Sequence, residues 1–282
     1  MFTISEIELF KKYLSSPLYA FGGAASPSIV SKDEKELYWK IFSELELACK
    51  VALKNSGYSE QFYVKAKNYS KERGVRGHRP KDLWCAIRNK NSETFNEMPQ
   101  IYIIASDRGI EAGFAVSIPE SDYSNMNVKM RNREIIPRIN KKLPIEGPEL
   151  EKLDELFANN KNLHVNLKTR LVLGDIGFNE FPKPSDLFKS LKNEVISYGG
   201  GSLCKIYTEQ DIIEDEIDTI EVMEETLDTF GDLLKLCLPS EPDKVLLKDS
   251  ITISENLIEH FNPENIEDSR EFKLRSIAQR QG

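Results

Sequence analysis

The sequence predicts an α+β fold, with a mixed or antiparallel sheet flanked by helices. Residues 62–67 alternate in polarity, while 100–106 and 112–118 are rich in strand-forming residues and bounded by turn residues, as paired strands are. Residues 31–54 and 215–236 instead carry apolar side chains at helical spacing. A chain that contains both periodicities is expected to pack helices against a sheet.

Two N-terminal helices are predicted from capping boxes, in which a Ser or Thr precedes a Glu or Gln by three positions. Ser5 with Glu8 predicts a short helix to about Leu14, and Ser31 with Glu34 predicts a longer helix to about Lys54. The stretch between them is rich in Pro, Gly and Ser and is expected to be a loop.

The central part of the chain predicts the sheet. An apolar segment at 84–87 is followed by the two β-rich runs, which flank Asp107-Arg108-Gly109. Because Gly109 is free to take a positive φ, this spacing predicts a hairpin.

The second half is predicted to add further helices and strands in alternation. The expected elements are a helix at 149–159, a strand at 163–173, a helix from 182–185 onward, a strand at 202–207 and a long acidic helix at 215–236. Pro239 and Pro242 follow this helix and are expected to close the main fold. We therefore predict a domain at 1–240 and a charged extension and linker at 241–282.

Composition excludes several classes of protein. No run of 18 apolar residues is present, and the N-terminus lacks the basic and apolar regions of a signal peptide. Four widely spaced cysteines in apolar runs predict buried thiols in a reducing compartment, so we expect a cytoplasmic protein without membrane contact. With three histidines and no Cys-x-x-Cys, no zinc site is expected.

The net charge of −8 hides a strong local asymmetry. Residues 60–90 hold nine Lys or Arg against three Asp or Glu, and residues 129–142 hold six against one. Residues 209–232 hold eleven acids and no Lys or Arg. Segregated charge of this kind is typical of a surface that binds a polyanion. Basic loops that only balance acidic helices would give the same counts.

The basic stretch predicts contacts with nucleic-acid phosphates. Phosphates bind cations and exposed backbone N–H groups, and a loop that is both basic and glycine-containing offers both. The predicted phosphate-binding residues are Lys65, Lys67, Arg73, Arg76, His78, Arg79, Lys81 and Arg88.

Aromatic residues in and beside this stretch predict a pocket for a base. Aromatic rings stack on bases, and a walled pocket can hold a base flipped out of the duplex. The predicted pocket residues are Tyr63, Trp84, Tyr102 and Phe114. The alternative is that these side chains belong to the core of the sheet.

No catalytic motif is found: the chain lacks Gly-x-Ser-x-Gly, His-Glu-x-x-His and a P-loop. We therefore predict no catalytic residue, no metal site and no cofactor in this chain. A rival prediction is a protein–protein interaction module, in which the acidic helix at 215–236 docks a partner.

The order of four motifs resembles the N-terminal DNA-binding domain of McrB-type modification-dependent restriction proteins. The motifs are Tyr63-Val64-Lys65, the glycine-bearing loop, Trp84-Cys85-Ala86-Ile87 and Gly113-Phe114-Ala115-Val116. The run at 198–207 and the acidic helix after it resemble the closing segment of the same family, so the resemblance covers about residues 1–236. It implies a domain that flips a modified cytosine into a pocket, with Trp84 lining it.

This resemblance also implies a wider function: the specificity module of a type IV-like restriction or phage-defence endonuclease that binds modified double-stranded DNA. The chain departs from the family at Arg79-Pro80, where Gly-Asn is usual, and this leaves the recognised base open.

The tail at 270–282, which begins Arg270-Glu271-Phe272-Lys273, resembles the lead-in of HNH nuclease domains. The resemblance implies a longer endonuclease that would use a divalent metal if such a domain follows. A homodimer is one open arrangement, and an ordinary charged helix is the alternative for the tail.

Overall fold

The structure, a computed structural model, describes residues 2–13, 31–67, 82–90, 99–117, 138–166, 181–192 and 201–238. All of these residues fall in one compact unit. The predicted boundary at residue 240 lies outside the described residues and stays a prediction.

The architecture is α+β, as predicted, and the sheet is antiparallel at every described pairing. Its six strands are in the order β1-β2-β3-β4-β6-β5, so β1 and β5 form its edges. The strands are β1 (Phe62–Lys67), β2 (Asp82–Asn89), β3 (Gln100–Ser106), β4 (Gly109–Ser117), β5 (Leu163–Asn166) and β6 (Gly201–Tyr207). The helices are α1 (Ile4–Tyr13), α2 (Lys32–Asn55), α3 (Pro148–Asn159), α4 (Pro184–Leu191), α5 (Glu209–Glu214) and α6 (Thr219–Leu236).

The predicted capping box of α2 is confirmed, and that of α1 is wrong by two residues. The Ser31 hydroxyl accepts from the backbone N–H of Glu34, whose carboxylate accepts from the N–H of Ser31. In α1 the Thr3 N–H instead donates to Glu6 Oε2 at 2.9 Å. Phe2 fixes this earlier start, because its backbone forms a β-bridge with Ile217.

The acidic segment forms two helices where one was predicted. Asp218 caps α6 by accepting from the N–H of Ile220, and the bridge to Phe2 holds Ile217 extended between the helices. Within α6 the predicted apolar stripe is confirmed from Met223 to Leu234, and both residues are buried.

The helices α2 and α6 pack on one side of the sheet, which we call the helix-covered face. Phe230 of α6 stacks on Phe114 of β4, with ring centroids 6.4 Å apart. The thiol of Cys49 in α2 meets that of Cys85 in β2. Since side chains alternate along a strand, the neighbours of these residues point to the other side, which we call the distal face.

Strand β6 is inserted between β4 and β5, and glycines permit its close approach. A Cβ on Gly113 would collide with the carbonyl oxygen of Leu203. Gly109 has φ of 117°, and a Cβ there would collide with the carbonyl oxygen of Tyr207. The predicted hairpin with a positive φ at Gly109 is thereby confirmed.

Candidate nucleic-acid interface

Strands β1, β2 and β3 bring most of the described candidate residues together on the distal face. Lys65 pairs with Ala86, which pairs in turn with Tyr102. Directly opposed residues of neighbouring strands share a face. The distal face therefore carries Tyr63, Lys65, Trp84, Arg88 and Tyr102, and Lys67 occupies the register position opposite Trp84.

Phe114 is not brought to this group. It is fully buried on the helix-covered face, where it stacks on Phe230. Its neighbour Gly113 is the residue that pairs with Tyr102. The thickness of the sheet therefore separates Phe114 from the other predicted pocket residues.

The basic loop is attached where the edge strand ends. Strand β1 ends at Lys67 and β2 begins at Asp82, so the loop leaves and re-enters the sheet at the same corner. Five predicted phosphate contacts lie outside the described residues and stay predictions: Arg73, Arg76, His78, Arg79 and Lys81.

Two of the predicted phosphate contacts, Lys65 and Arg88, have described side chains, and their surroundings differ. Lys65 is exposed on the edge strand, as a phosphate contact must be. Arg88 is 2% exposed, and its guanidinium carbon lies 5.6 Å from the ring centroid of Tyr63. This cation–π contact anchors the edge strand, so Arg88 would reach a phosphate only after a rearrangement.

Trp84 and Tyr102 are buried beside each other on the distal face, each 2% exposed. They belong to a cluster with four other buried residues: Ala86, Ile104, Ala115 and Cys204. In this conformation they are core residues, so a base could stack on them only after a movement that uncovers them. The predicted base pocket stays a prediction on this condition.

The structure adds a polar cluster that sequence analysis missed, formed by Tyr102, Glu111, Ser202 and Cys204. The Tyr102 hydroxyl donates to Glu111 Oε1 at 2.6 Å, and Glu111 is 1% exposed. Glu111 lies two residues along β4 from the pairing partner of Tyr102, within the diagonal reach of an aromatic side chain. The sequence signal was a single acid between the predicted turn at Gly109 and the β-rich run at 112–118.

Burial and charge tune the acid–base properties of this cluster. Burial, together with the negative charge of Glu111, raises the pKa of Tyr102 well above its ordinary value. Burial likewise raises the pKa of the Cys204 thiol, and Glu111 adds to the shift. Both groups are therefore held neutral at neutral pH, and Glu111 is the acceptor of the Tyr102 hydrogen bond.

The carboxylates of α6 form a solvated surface on the other side of the molecule. Glu225 is exposed, and both of its oxygens lie 2.9 Å from Lys205 Nζ on the helix-covered face. Among the described residues, no group of three His, Cys, Asp or Glu side chains is arranged to hold a metal ion.

No protein-family model matches the chain, and no curated protein matches it significantly. The resemblance to McrB-type domains therefore stays a prediction that depends on the quoted motifs. None of the helices in the described ranges combines the length and hydropathy needed to cross a bilayer.

Proposed function

We propose that this chain is a DNA-binding specificity module of a restriction or phage-defence system, and that it senses a modified base by everting it against Trp84 and Tyr102. The observation that supports the proposal is the alignment of Lys65, Trp84 and Tyr102 across one face of the sheet. The basic stretch at 68–81 joins β1 to β2 at the sheet edge that carries Lys65, and this adds to the support.

The chemistry follows from this alignment. The exposed Lys65 and the loop cations would bind phosphates on either side of a target nucleotide, and this term is independent of sequence. Trp84 follows the loop by three residues and lies one strand in from the edge. A base rotated out of the duplex would therefore travel from the cationic edge toward the aromatic residues.

The electrostatic part is tested by titrating the full chain with a short fluorescent duplex at several salt concentrations. We expect the affinity to fall linearly with salt on a log–log plot, with a slope of about 0.9 for each phosphate contact. The double reversal Arg76→Glu with Arg79→Glu should weaken binding and flatten the slope, as should Lys65→Glu.

Lys161→Glu is the matched control, because Lys161 is exposed next to β5 at the opposite edge of the sheet. Equal losses of DNA affinity in Lys65→Glu and Lys161→Glu would mean that binding depends on the net charge of the protein and not on the sheet edge that carries Lys65. Unchanged DNA retention in the double reversal, with loss of a protein partner, would favour the protein-interaction alternative.

The base-sensing part is tested with duplexes that differ only in one modification: none, 5-methylcytosine, hydroxymethylcytosine or its glucosylated form. In a Trp39→Phe background, Trp84 is the remaining tryptophan and reports on its own surroundings. Stacking of a base should quench its fluorescence for the preferred duplex and not for the others. Identical affinity and fluorescence for all four duplexes would remove base sensing from the proposal.

A further inference from the structure

The distal face carries buried hydrogen-bond acceptors where packing alone would favour apolar side chains. Glu111 is 1% exposed and accepts from Tyr102. Gln100 is also 1% exposed, and no donor in the described ranges reaches its Oε1 atom. Burying a carboxylate and leaving a buried amide oxygen unsatisfied both cost stability. Such groups are typically retained at sites that bind a ligand.

Glu111 indicates what kind of ligand its end of the distal face suits, while the buried donor Arg88 lies opposite Gln100, toward the other end of β3. An ionised carboxylate only accepts hydrogen bonds. At Glu111, a ligand that presents a donor is therefore favoured, and a ligand that presents another acceptor is opposed. Among the groups that distinguish nucleobases, the exocyclic amine donates, whereas the carbonyl that replaces it in thymine accepts.

The inference rests on the proposed function and makes it more specific. We propose that Glu111, positioned by Tyr102, is the specificity-determining acceptor for an everted base and selects bases that carry an exocyclic amine. Its carboxylate accepts from the amine, while Trp84, in the same buried cluster as Tyr102, supplies an aromatic surface. Thymine and hypoxanthine, which carry a carbonyl at the equivalent position, are rejected because two acceptors would then face each other.

Two sets of probe bases with nearly the same shape test the hydrogen bond to Glu111 separately from the size and methylation of the base. 5-Methylcytosine and thymine have the same methyl group and nearly the same shape, and differ chiefly in an amine exchanged for a carbonyl. Adenine and hypoxanthine differ in the same way. Each base is placed opposite an abasic site in one short duplex, so that none is held by pairing, and the dissociation constant is measured with the full chain.

We expect the amine-bearing member of each pair to bind about tenfold more tightly. Glu111→Gln should reduce this ratio to near one or reverse it, because the new amide can donate to a carbonyl while Tyr102 retains an acceptor. Glu225→Gln is the control, since it makes the same change at an exposed site on α6 and should leave the ratio intact. Tyr102→Phe, which leaves the carboxylate but removes its positioning hydrogen bond, should also lower the ratio.

Each outcome decides the question. A preference in at least one pair that is lost in Glu111→Gln supports the proposal, and if that variant does not fold, the Tyr102→Phe ratio takes its place. Equal affinities within both pairs, or a ratio that neither substitution alters, overturn the role of Glu111 and leave DNA binding standing. Absence of binding to any duplex removes the proposed function and this inference together.

Discussion

The hydrogen bond between Tyr102 and Glu111 gives a quantitative prediction for stability. Tyr102→Phe removes one hydroxyl and leaves the ring in place. The donor and acceptor are both buried and 2.6 Å apart, and the acceptor is a carboxylate. A hydrogen bond of this kind contributes about 1.5–3 kcal/mol, so we expect that loss in the free energy of unfolding. The midpoint of thermal unfolding should fall by about 3–12 °C.

The pH dependence gives a second readout of the same bond. The pKa of Tyr102 is raised in the folded state, whereas in the unfolded chain it is about 10. Below pH 10 both states keep the proton, so the full contribution is present. Above pH 10 the unfolded state loses the proton first, and stability falls by about 1.4 kcal/mol per pH unit until the folded pKa is reached.

The assay is urea unfolding of the wild type and Tyr102→Phe between pH 7 and pH 11. The difference between the two proteins isolates this phenol from the other tyrosines and the cysteines, and it should shrink above pH 10. Tyr207→Phe is the control, because the Tyr207 hydroxyl reaches an exposed carboxylate, that of Glu225, at 3.2 Å. We expect that control to stay within about 1 kcal/mol of the wild type. Wild-type stability of Tyr102→Phe at pH 7, with a constant difference up to pH 11, would refute the reasoning.

Three further predictions concern packing. Gly113→Ala should lower the free energy of unfolding by about 2 kcal/mol or more, because the added Cβ meets the backbone of β6. Gly57→Ala should lower it by about 1–2 kcal/mol, because a Cβ there has open space and only the positive φ opposes it. Equal losses of the two variants in urea unfolding would contradict this contrast. Phe230→Ala should cost about 3–5 kcal/mol by removing the stack on Phe114, and a loss below that of Leu233→Ala, a less buried site on the same helix, would argue against α6 packing on the sheet. All four cysteines are buried: Cys49, Cys85, Cys204 and Cys237. A thiol reagent should therefore label none of them until denaturant is added, and stoichiometric labelling in native buffer would contradict this burial.

Local signals in the sequence correctly predicted the parts of the fold that are set by neighbouring residues. The box at Ser31 and Glu34 fixes the start of α2 through two hydrogen bonds within four residues. The turn before Gly109 requires a positive φ that glycine provides. In α1 the same kind of signal occurred twice in succession, and the long-range bridge from Phe2 decided between the two.

Features that depend on residues far apart in the chain could not be predicted from local sequence patterns. The position of β6 between β4 and β5 depends on pairings across the whole domain. Strand β2 is buried on both faces, so alternation could not show that Trp84 points away from the helices. Polarity was also misleading, because Arg88 and Glu111 are buried where their charge would suggest solvent. Such residues are expected where a fold accepts a cost for function.

The position of β6 in the chain, far beyond the strand β4 with which it pairs, has a consequence for synthesis. The chain completes β3 and β4 by residue 117, but the strand that flanks β4 begins only at residue 201. Until then the outer edge of the hairpin has backbone groups with no strand beside them, and such edges readily join other chains. Strand β5 also waits, because its pairing is with β6. Fragments that stop before residue 201 should therefore be recovered as aggregates, because the seven residues of β6 supply the pairing partner of both β4 and β5.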